Sequence, residues 1–202
     1  MFDEVDYQFK MPKLQPVIIP TKGKGFFKRM KMLLTSIRQW DVVENWYYML
    51  PNGKLIMVPE GFRFDGASIP KPLYFLAGLV AMLVLLGWSL STELALIFAA
   101  LFIFAGIALS PVGLLLVAGL VHDFAYRFGY LWAYNQETGK FDKYYHKHGE
   151  RLDYDELFLE VNLSVNGMVF TDRLAACLLS MFGAIAWTEN RDRNSEEFNP
   201  NI

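Results

Sequence analysis

Residues 121–127, VHDFAYR, end a long apolar run and decide how the rest of the chain is interpreted. On a helix, His122 and Tyr126 lie four residues apart and share a face, whereas Asp123 points about a quarter of a turn away. Histidine is a common general base when a second group fixes its tautomer. The stretch therefore predicts a helix that carries a candidate base, and the alternative is a pair that only caps and solvates the helix end.

A second predicted helix offers the group that would orient this histidine. Residues 151–167, RLDYDELFLEVNLSVNG, place apolar side chains at helical spacing and end at a glycine. Arg151 and Asp155 lie one turn apart on one face, and Phe158 follows nearby. If the two helices pack antiparallel, Asp155 can reach the imidazole of His122, which leaves Asp123 available for another partner.

The bulk composition excludes several classes of protein. A net charge of −2 over 202 residues gives no global basic field, so nucleic-acid binding is disfavoured. The single cysteine, Cys177, forms no internal disulfide, which fits a reducing compartment or a membrane-facing location. The acidic, mixed N-terminus, MFDEVDYQFK, does not have the pattern of a signal peptide.

Residues 72–110 form an apolar segment in which Glu93 is the only charged residue. Two uncharged stretches, 72–90 and 94–109, are separated by STE, and about 20 helical residues cross a bilayer. We therefore predict an inserted transmembrane-type helical hairpin. A buried core hairpin or an oligomer interface is the alternative.

Residues 22–38 contain six lysines and arginines and no acid, with apolar residues at helical spacing. This pattern predicts a basic amphipathic helix of the kind that lies among lipid headgroups, although surface helices with an ordinary core face share it. The basic excess beside the hairpin, together with Lys71, predicts a membrane location with the globular part on the cytoplasmic side.

The predicted fold class is α+β and mostly helical, with an N-terminal β-hairpin formed around the turn PNG at residues 51–53. We divide the chain into a β-rich part at 1–71 that contains the basic helix, the apolar hairpin at 72–110, and a helical core at 111–187 that completes the domain with 40–71. Residues 188–202 read as a polar tail.

Several other residues with reactive side chains are explained as well or better by structural roles than by catalysis or metal binding. Asp65, in FDGAS, is as well explained by turn formation as by catalysis, and Ser68 is not within a nucleophile elbow. Cys177 lies in an apolar helix and is expected in the core. His146 and His148 form a His-x-His pair without a third ligand at zinc-site spacing, which favours solvated side chains over a metal site.

The ordered blocks VPEGFRFDGASIP, LVHDFAYR, RLDYDELF and GMVFTDRLAACLLSMFGAIAW resemble a phage-associated family, domain of unknown function 1353. The family pattern is a Val-Pro-x-Gly-Phe-x-x-Asp-x-Ala-Ser-x-Pro loop, a His-Asp-x-x-Tyr helix, an Arg-x-x-x-Asp-x-x-Phe helix and a final apolar helix. The resemblance covers most of residues 40–187. It implies that the apolar hairpin and the basic helix are additions to a family core, and we expect them to moor that core to a bilayer.

The His-Asp-x-x-Tyr helix also resembles the phospholipase A2 arrangement. That resemblance implies that His122 activates water, that Asp123 binds calcium, and that Tyr126 and Asp155 support the histidine. The implied function is a membrane-anchored lipid ester hydrolase with membrane lipids as partners. The alternative is a non-enzymatic virion or host-membrane protein, able to form homo-oligomers or bind virion proteins, in which the same residues form a packing network. The departure from the phospholipase pattern is the missing Gly-x-Gly calcium loop.

Overall fold

The computed structural model describes residues 10–35, 39–64, 83–84, 86–87, 91–93, 96–97, 100, 113 and 115–192. All statements about architecture below refer to these residues. The loop residues 65–70, with Asp65 and Ser68, lie outside them, and so does most of the apolar segment 72–110.

The described chain forms two antiparallel sheets. The strands are β1 Leu14–Pro16, β2 Trp40–Val42, β3 Trp46–Met49, β4 Leu55–Val58, β5 Arg63–Phe64, β6 Leu131–Asn135 and β7 Lys140–Tyr144. The first sheet has the order β1-β2-β5, and the second has the order β3-β4-β6-β7. The predicted hairpin at the PNG turn is present as β3 and β4, with Tyr47 opposite Met57.

Four helices have defined bounds in the described chain: α1 Phe26–Thr35, α2 Leu116–Phe128, α3 Arg151–Val165 and α4 Val169–Asp192. Helices α2, α3 and α4 pack against one another, and α2 also contacts β5 and β6. Helix α1 covers ten of the residues in the predicted basic helix at 22–38. Helix α4 continues to Asp192, so part of the predicted polar tail is helical.

One apolar core joins the helices to the sheets. The side chain of Phe62, next to β5, packs edge-on against Phe124 of α2 with ring centroids 5.0 Å apart. Ile56 of β4 and Leu131 of β6 are fully buried in the same cluster. Since burial of apolar surface is the main favourable contribution to folding, this cluster fixes α2 against the sheets.

The predicted fold class was wrong in its balance of elements. Helix accounts for about 46% of the described residues, which also form seven strands in two antiparallel sheets. The prediction placed a β-hairpin only near the N-terminus, whereas β6 and β7 form a further antiparallel pair in which Tyr134 lies opposite Phe141. Strand β7 is mostly exposed and carries charged residues, so it shows no apolar alternation that would have revealed it.

The predicted transmembrane hairpin, and the membrane location on the cytoplasmic side that depended on it, are contradicted. In the part of the chain that the structure describes, no helix is long and apolar enough to cross a bilayer. Helix α4 has 24 residues but includes Asp172 and Arg173 in its first turns and Glu189, Arg191 and Asp192 in its last.

Candidate functional site

The candidate base His122 lies on the buried face of α2. This helix ends at Gly129, whose φ of 77° is left-handed and whose N–H donates to Ala125 O. Glycine adopts this conformation without steric cost, and here it stops the helix one turn after Tyr126. Tyr154 of α3 donates its hydroxyl to Gly129 O at 2.7 Å, which ties the end of α2 to α3.

Asp155 is positioned by the start of α3. Glu150 and Asp153 form a reciprocal capping box, in which Glu150 N–H donates to Asp153 Oδ2 at 3.1 Å. Such a box satisfies backbone donors that a helix start leaves unpaired. Asp155, one residue beyond the first turn, is 2% exposed and points toward α2.

The structure brings His122, Tyr126 and Asp155 together. His122 Nε2 lies 3.2 Å from Asp155 Oδ1, and the hydroxyl of Tyr126 donates to the same oxygen. His122 is 5% exposed and Tyr126 is 2% exposed. Phe158, which was expected nearby, packs edge-on against the imidazole with ring centroids 5.6 Å apart. The sequence prediction that an acid from a neighbouring helix reaches this imidazole thus agrees with the geometry.

Asp123 lies on the other side of the imidazole. Its Oδ1 is 3.9 Å from His122 Nδ1, which is longer than a hydrogen bond, and its side chain is 17% exposed. Asp123 is therefore the member of the set closest to solvent. Within the described residues, no group of three or more His, Cys, Asp or Glu side chains could hold a metal ion.

The surroundings change the proton affinity of two of these groups. Burial lowers the pKa of His122, but the two neighbouring carboxylates of Asp123 and Asp155 outweigh it, and the net pKa is raised. Burial, and then the hydrogen bond to Asp155, raise the pKa of Tyr126, which keeps its hydroxyl a donor at neutral pH.

Arg151, singled out in the sequence without a specific role, contacts the second oxygen of Asp155. Its Nη1 donates to Asp155 Oδ2 at 2.8 Å and to the carbonyl of Ser180 on α4 at 3.0 Å. The guanidinium therefore joins α3 to α4. A groove of about 280 Å³ between these two helices is lined by Asp155, Ser180 and Arg173, among others.

Two residues of α4 complete the site and were not predicted. Trp187 packs edge-on against Tyr126, with ring centroids 5.0 Å apart. A Cβ built on Gly183 would lie 2.8 Å from Tyr126 Oη and 3.5 Å from Arg151 Nη1. The sequence feature that could have identified Gly183 is its position inside an apolar helix, four residues before Trp187. A glycine in a helix interior commonly allows close packing.

The remaining candidates lie elsewhere. Asp65 and Ser68 fall outside the described residues. Cys177 is exposed, so its expected place in the core was wrong. His146 is buried, at 4% exposure, rather than solvated, whereas His148 is exposed.

The fold and the site define the chain as an α+β protein in which α2 and α3 contribute a largely buried His-Tyr-Asp-Arg cluster that α4 packs against. Residues 40–82 match the family described as "Protein of unknown function (DUF1353)", which supports the predicted resemblance to that family over this part of the chain. The matched residues contain β2–β5 and precede the cluster in the chain. No curated protein and no solved structure matches the chain.

Proposed function

We propose that the protein hydrolyses a carboxylic ester, with His122 as the general base and lipid esters as the substrate class to test first. The observation that carries this proposal is the 3.2 Å contact between His122 Nε2 and Asp155 Oδ1. A carboxylate at one ring nitrogen fixes the tautomer and leaves the other nitrogen to accept a proton. The lipid part rests on the resemblance of the His-Asp-x-x-Tyr helix to phospholipase A2.

The reaction follows from this arrangement of protons. Nε2–H of His122 donates to Asp155, so the lone pair of Nδ1 takes a proton from a water molecule. The water oxygen bonds to the ester carbonyl carbon, the bond to the leaving alkoxide breaks, and the proton on Nδ1 passes to that alkoxide. Between these steps the ionised Asp155 stabilises the imidazolium, while Tyr126 and Arg151 hold the carboxylate in place.

The calcium ion that the resemblance implies finds an incomplete site. Calcium takes six to eight oxygen ligands, and Asp123 is the one predicted ligand within the described residues. The oxygen ligands among the described residues are therefore too few for calcium, and the proposed reaction does not use a calcium ion. Asp123 Oδ1 instead lies 3.9 Å from Nδ1, where it can orient an incoming water.

A second candidate function is structural. His122, Tyr126 and Asp155 are all nearly inaccessible, and Arg151 extends the cluster to Ser180 O on α4. A fully hydrogen-bonded buried polar network fixes how helices pack. In this case the protein is non-enzymatic, in line with the predicted alternative of a virion component.

One pair of variants separates the two candidates. His122→Asn removes the imidazole, and His148→Asn is the matched control because His148 is exposed. Each protein is tested for hydrolysis of a soluble short-chain ester and of phospholipid vesicles, with and without calcium, and for its free energy of unfolding.

The enzymatic proposal expects hydrolysis by the parent protein and by His148→Asn, and its loss in a folded His122→Asn variant. If the parent hydrolyses neither substrate and His122→Asn is strongly destabilised, the structural function is supported instead. Hydrolysis that survives in His122→Asn would rule out His122 as the base.

A further inference from the structure

The two oxygens of Asp155 have separate partners. Oδ1 lies 3.2 Å from His122 Nε2 and accepts from Tyr126 OH, whereas Oδ2 accepts from Arg151 Nη1 at 2.8 Å. Only Oδ1 therefore faces the imidazole. The orientation of the carboxylate, and with it the side of the ring that is hydrogen-bonded, depends on what holds Oδ2.

Arg151 also places a permanent positive charge beside Asp155, with its Nη1 2.8 Å from Oδ2. A carboxylate removed from water tends to bind a proton unless donors or a cation stabilise its ionised form. Arginine stays charged at any pH that a folded protein experiences, so its effect does not change as His122 titrates. Arg151 reaches Asp155 from one turn earlier on the same helix.

The protonation of Asp155 decides which nitrogen of His122 carries the proton. When Asp155 is ionised, it accepts from Nε2–H, and Nδ1 is free to accept a proton. If Asp155 were protonated, its O–H would donate to Nε2, and the neutral ring would carry its proton on Nδ1. The nitrogen required to take a proton from water would then be blocked.

We propose that Arg151 is a positioning residue that keeps Asp155 ionised and thereby holds the neutral tautomer of His122 with its proton on Nε2. This inference rests on the proposed function of His122 as a base. It assigns Arg151 an effect on catalysis through two other residues, without contact to substrate. The charged groups that face the ring from the packed helices are Asp123 on α2 and Asp155 on α3, and α4 contributes the Ser180 carbonyl behind Arg151.

A purely mechanical role is the competing explanation, because Arg151 also clamps α3 to α4 through Ser180. Loss of that clamp lowers stability in either case. The tautomer of the neutral His122 ring and the midpoint of its titration report on the charge beside the ring, which the loss of a mechanical clamp alone does not set. Nitrogen-15 NMR of the imidazole in the full-length protein reads both directly.

The test compares Arg151→Met, Arg151→Lys and Arg173→Met. The first removes charge and hydrogen bonds, the second keeps the charge, and the third removes an arginine that lines the same groove. In Arg151→Met, we expect the neutral ring to carry its proton on Nδ1, the midpoint of ring titration to fall by at least about one pH unit, and ester hydrolysis to fall at least about tenfold. Arg151→Lys and Arg173→Met should keep the parent tautomer and midpoint.

Each outcome bears on a separate claim. A folded Arg151→Met variant with the parent tautomer and midpoint would overturn the role of Arg151 and leave His122 as base untouched. Changed NMR signals without hydrolysis by the parent would support the role of Arg151 and remove the proposed enzyme. If Arg151→Met does not fold, Arg151→Lys decides: an Nδ1–H tautomer in that charged variant overturns the inference, and the parent tautomer with parent rates supports it.

Discussion

Gly183 of α4 lies directly over the phenol of Tyr126, and a Cβ at this position would stand 2.8 Å from Tyr126 Oη. Real Cβ atoms do not approach a heavy atom this closely. Tyr126 has little room to yield, since it is buried, donates to Asp155 and packs on Trp187. The close approach of α4 to the cluster therefore depends on the absence of a side chain at Gly183.

Gly183→Ala should destabilise the protein by about 1–3 kcal/mol, as small-to-large changes in a packed core do. Helix propensity alone predicts the opposite sign, because alanine in a helix interior is favoured over glycine by about 1 kcal/mol. Chemical denaturation measures the difference. Adding Tyr126→Phe removes the clashing oxygen, so Gly183→Ala should cost less in that background, and an equal cost in both would disprove the contact as the cause.

Asp155→Asn should cost about 2–3 kcal/mol, because it leaves Arg151 without its anionic partner in a largely buried site. The exposed pair of Asp41 and Arg63 provides a control, with Arg63 Nε 2.6 Å from Asp41 Oδ1. Asp41→Asn should cost no more than about 1 kcal/mol, as is usual for surface ion pairs. Urea unfolding of both variants measures the two losses of stability. A similar loss for both would show that burial does not strengthen the ion pair of Asp155 with Arg151.

The raised pKa of His122 predicts how stability changes on the alkaline side. A group whose pKa is higher in the folded state adds stability that is complete below its unfolded pKa of about 6.5 and is lost as pH rises through the folded value. The loss is about 1.4 kcal/mol for each unit of elevation. The free energy of unfolding of the parent should therefore decline from about pH 6.5 upward relative to His122→Asn. Parallel curves for the two proteins would contradict the raised pKa.

Burial lowers the pKa of His146, which predicts the opposite effect on the acid side. Its Nε2 has no hydrogen-bond partner among the described residues, and its Nδ1 lies 3.3 Å from Tyr144 OH. The unfolded chain binds a proton more readily than the folded protein, so stability should fall as pH drops below about 6.5. Unfolding curves of His146→Asn should lack this decline, whereas His148→Asn should retain it.

The proposed hydrolysis should itself depend on the raised pKa of His122. Only the neutral imidazole accepts a proton from water, so the rate should increase as pH rises through a value above about 6.5 and then level off. Initial rates with a soluble ester from pH 5 to 10 measure the profile. A rate that is flat across this range, or that falls on the alkaline side, would be inconsistent with His122 as the base.

The contact between His122 and Asp155 was predictable because it depends on two local patterns. Spacing of four residues places His122 with Tyr126 and Arg151 with Asp155, and two packed helices then leave few ways to bury these polar groups. Gly183 was not predictable in this way, since its role arises from the approach of α4 to Tyr126 rather than from neighbours in the chain.

The sheets were underestimated for a related reason. Asn135 and Gly139 form the turn between β6 and β7, and Asn135 Oδ1 accepts the backbone N–H of Glu137 at 2.9 Å. The strand that follows is paired through backbone hydrogen bonds, and its sequence KFDKY has no alternation of apolar and polar residues that would predict it. The membrane prediction rested on the apolar composition and length of residues 72–110, whereas no helix of the described residues is long and apolar enough to cross a bilayer.

Strands β4 and β6 are neighbours in the second sheet, with Ile56 opposite Ala133, although more than seventy residues of sequence separate them. The chain before this interval contributes β3 and β4 to the four-stranded sheet, and the chain after it contributes β6 and β7. Formation of this sheet therefore requires two distant parts of the chain to meet, so that a loop of more than seventy residues must close before β4 and β6 can pair.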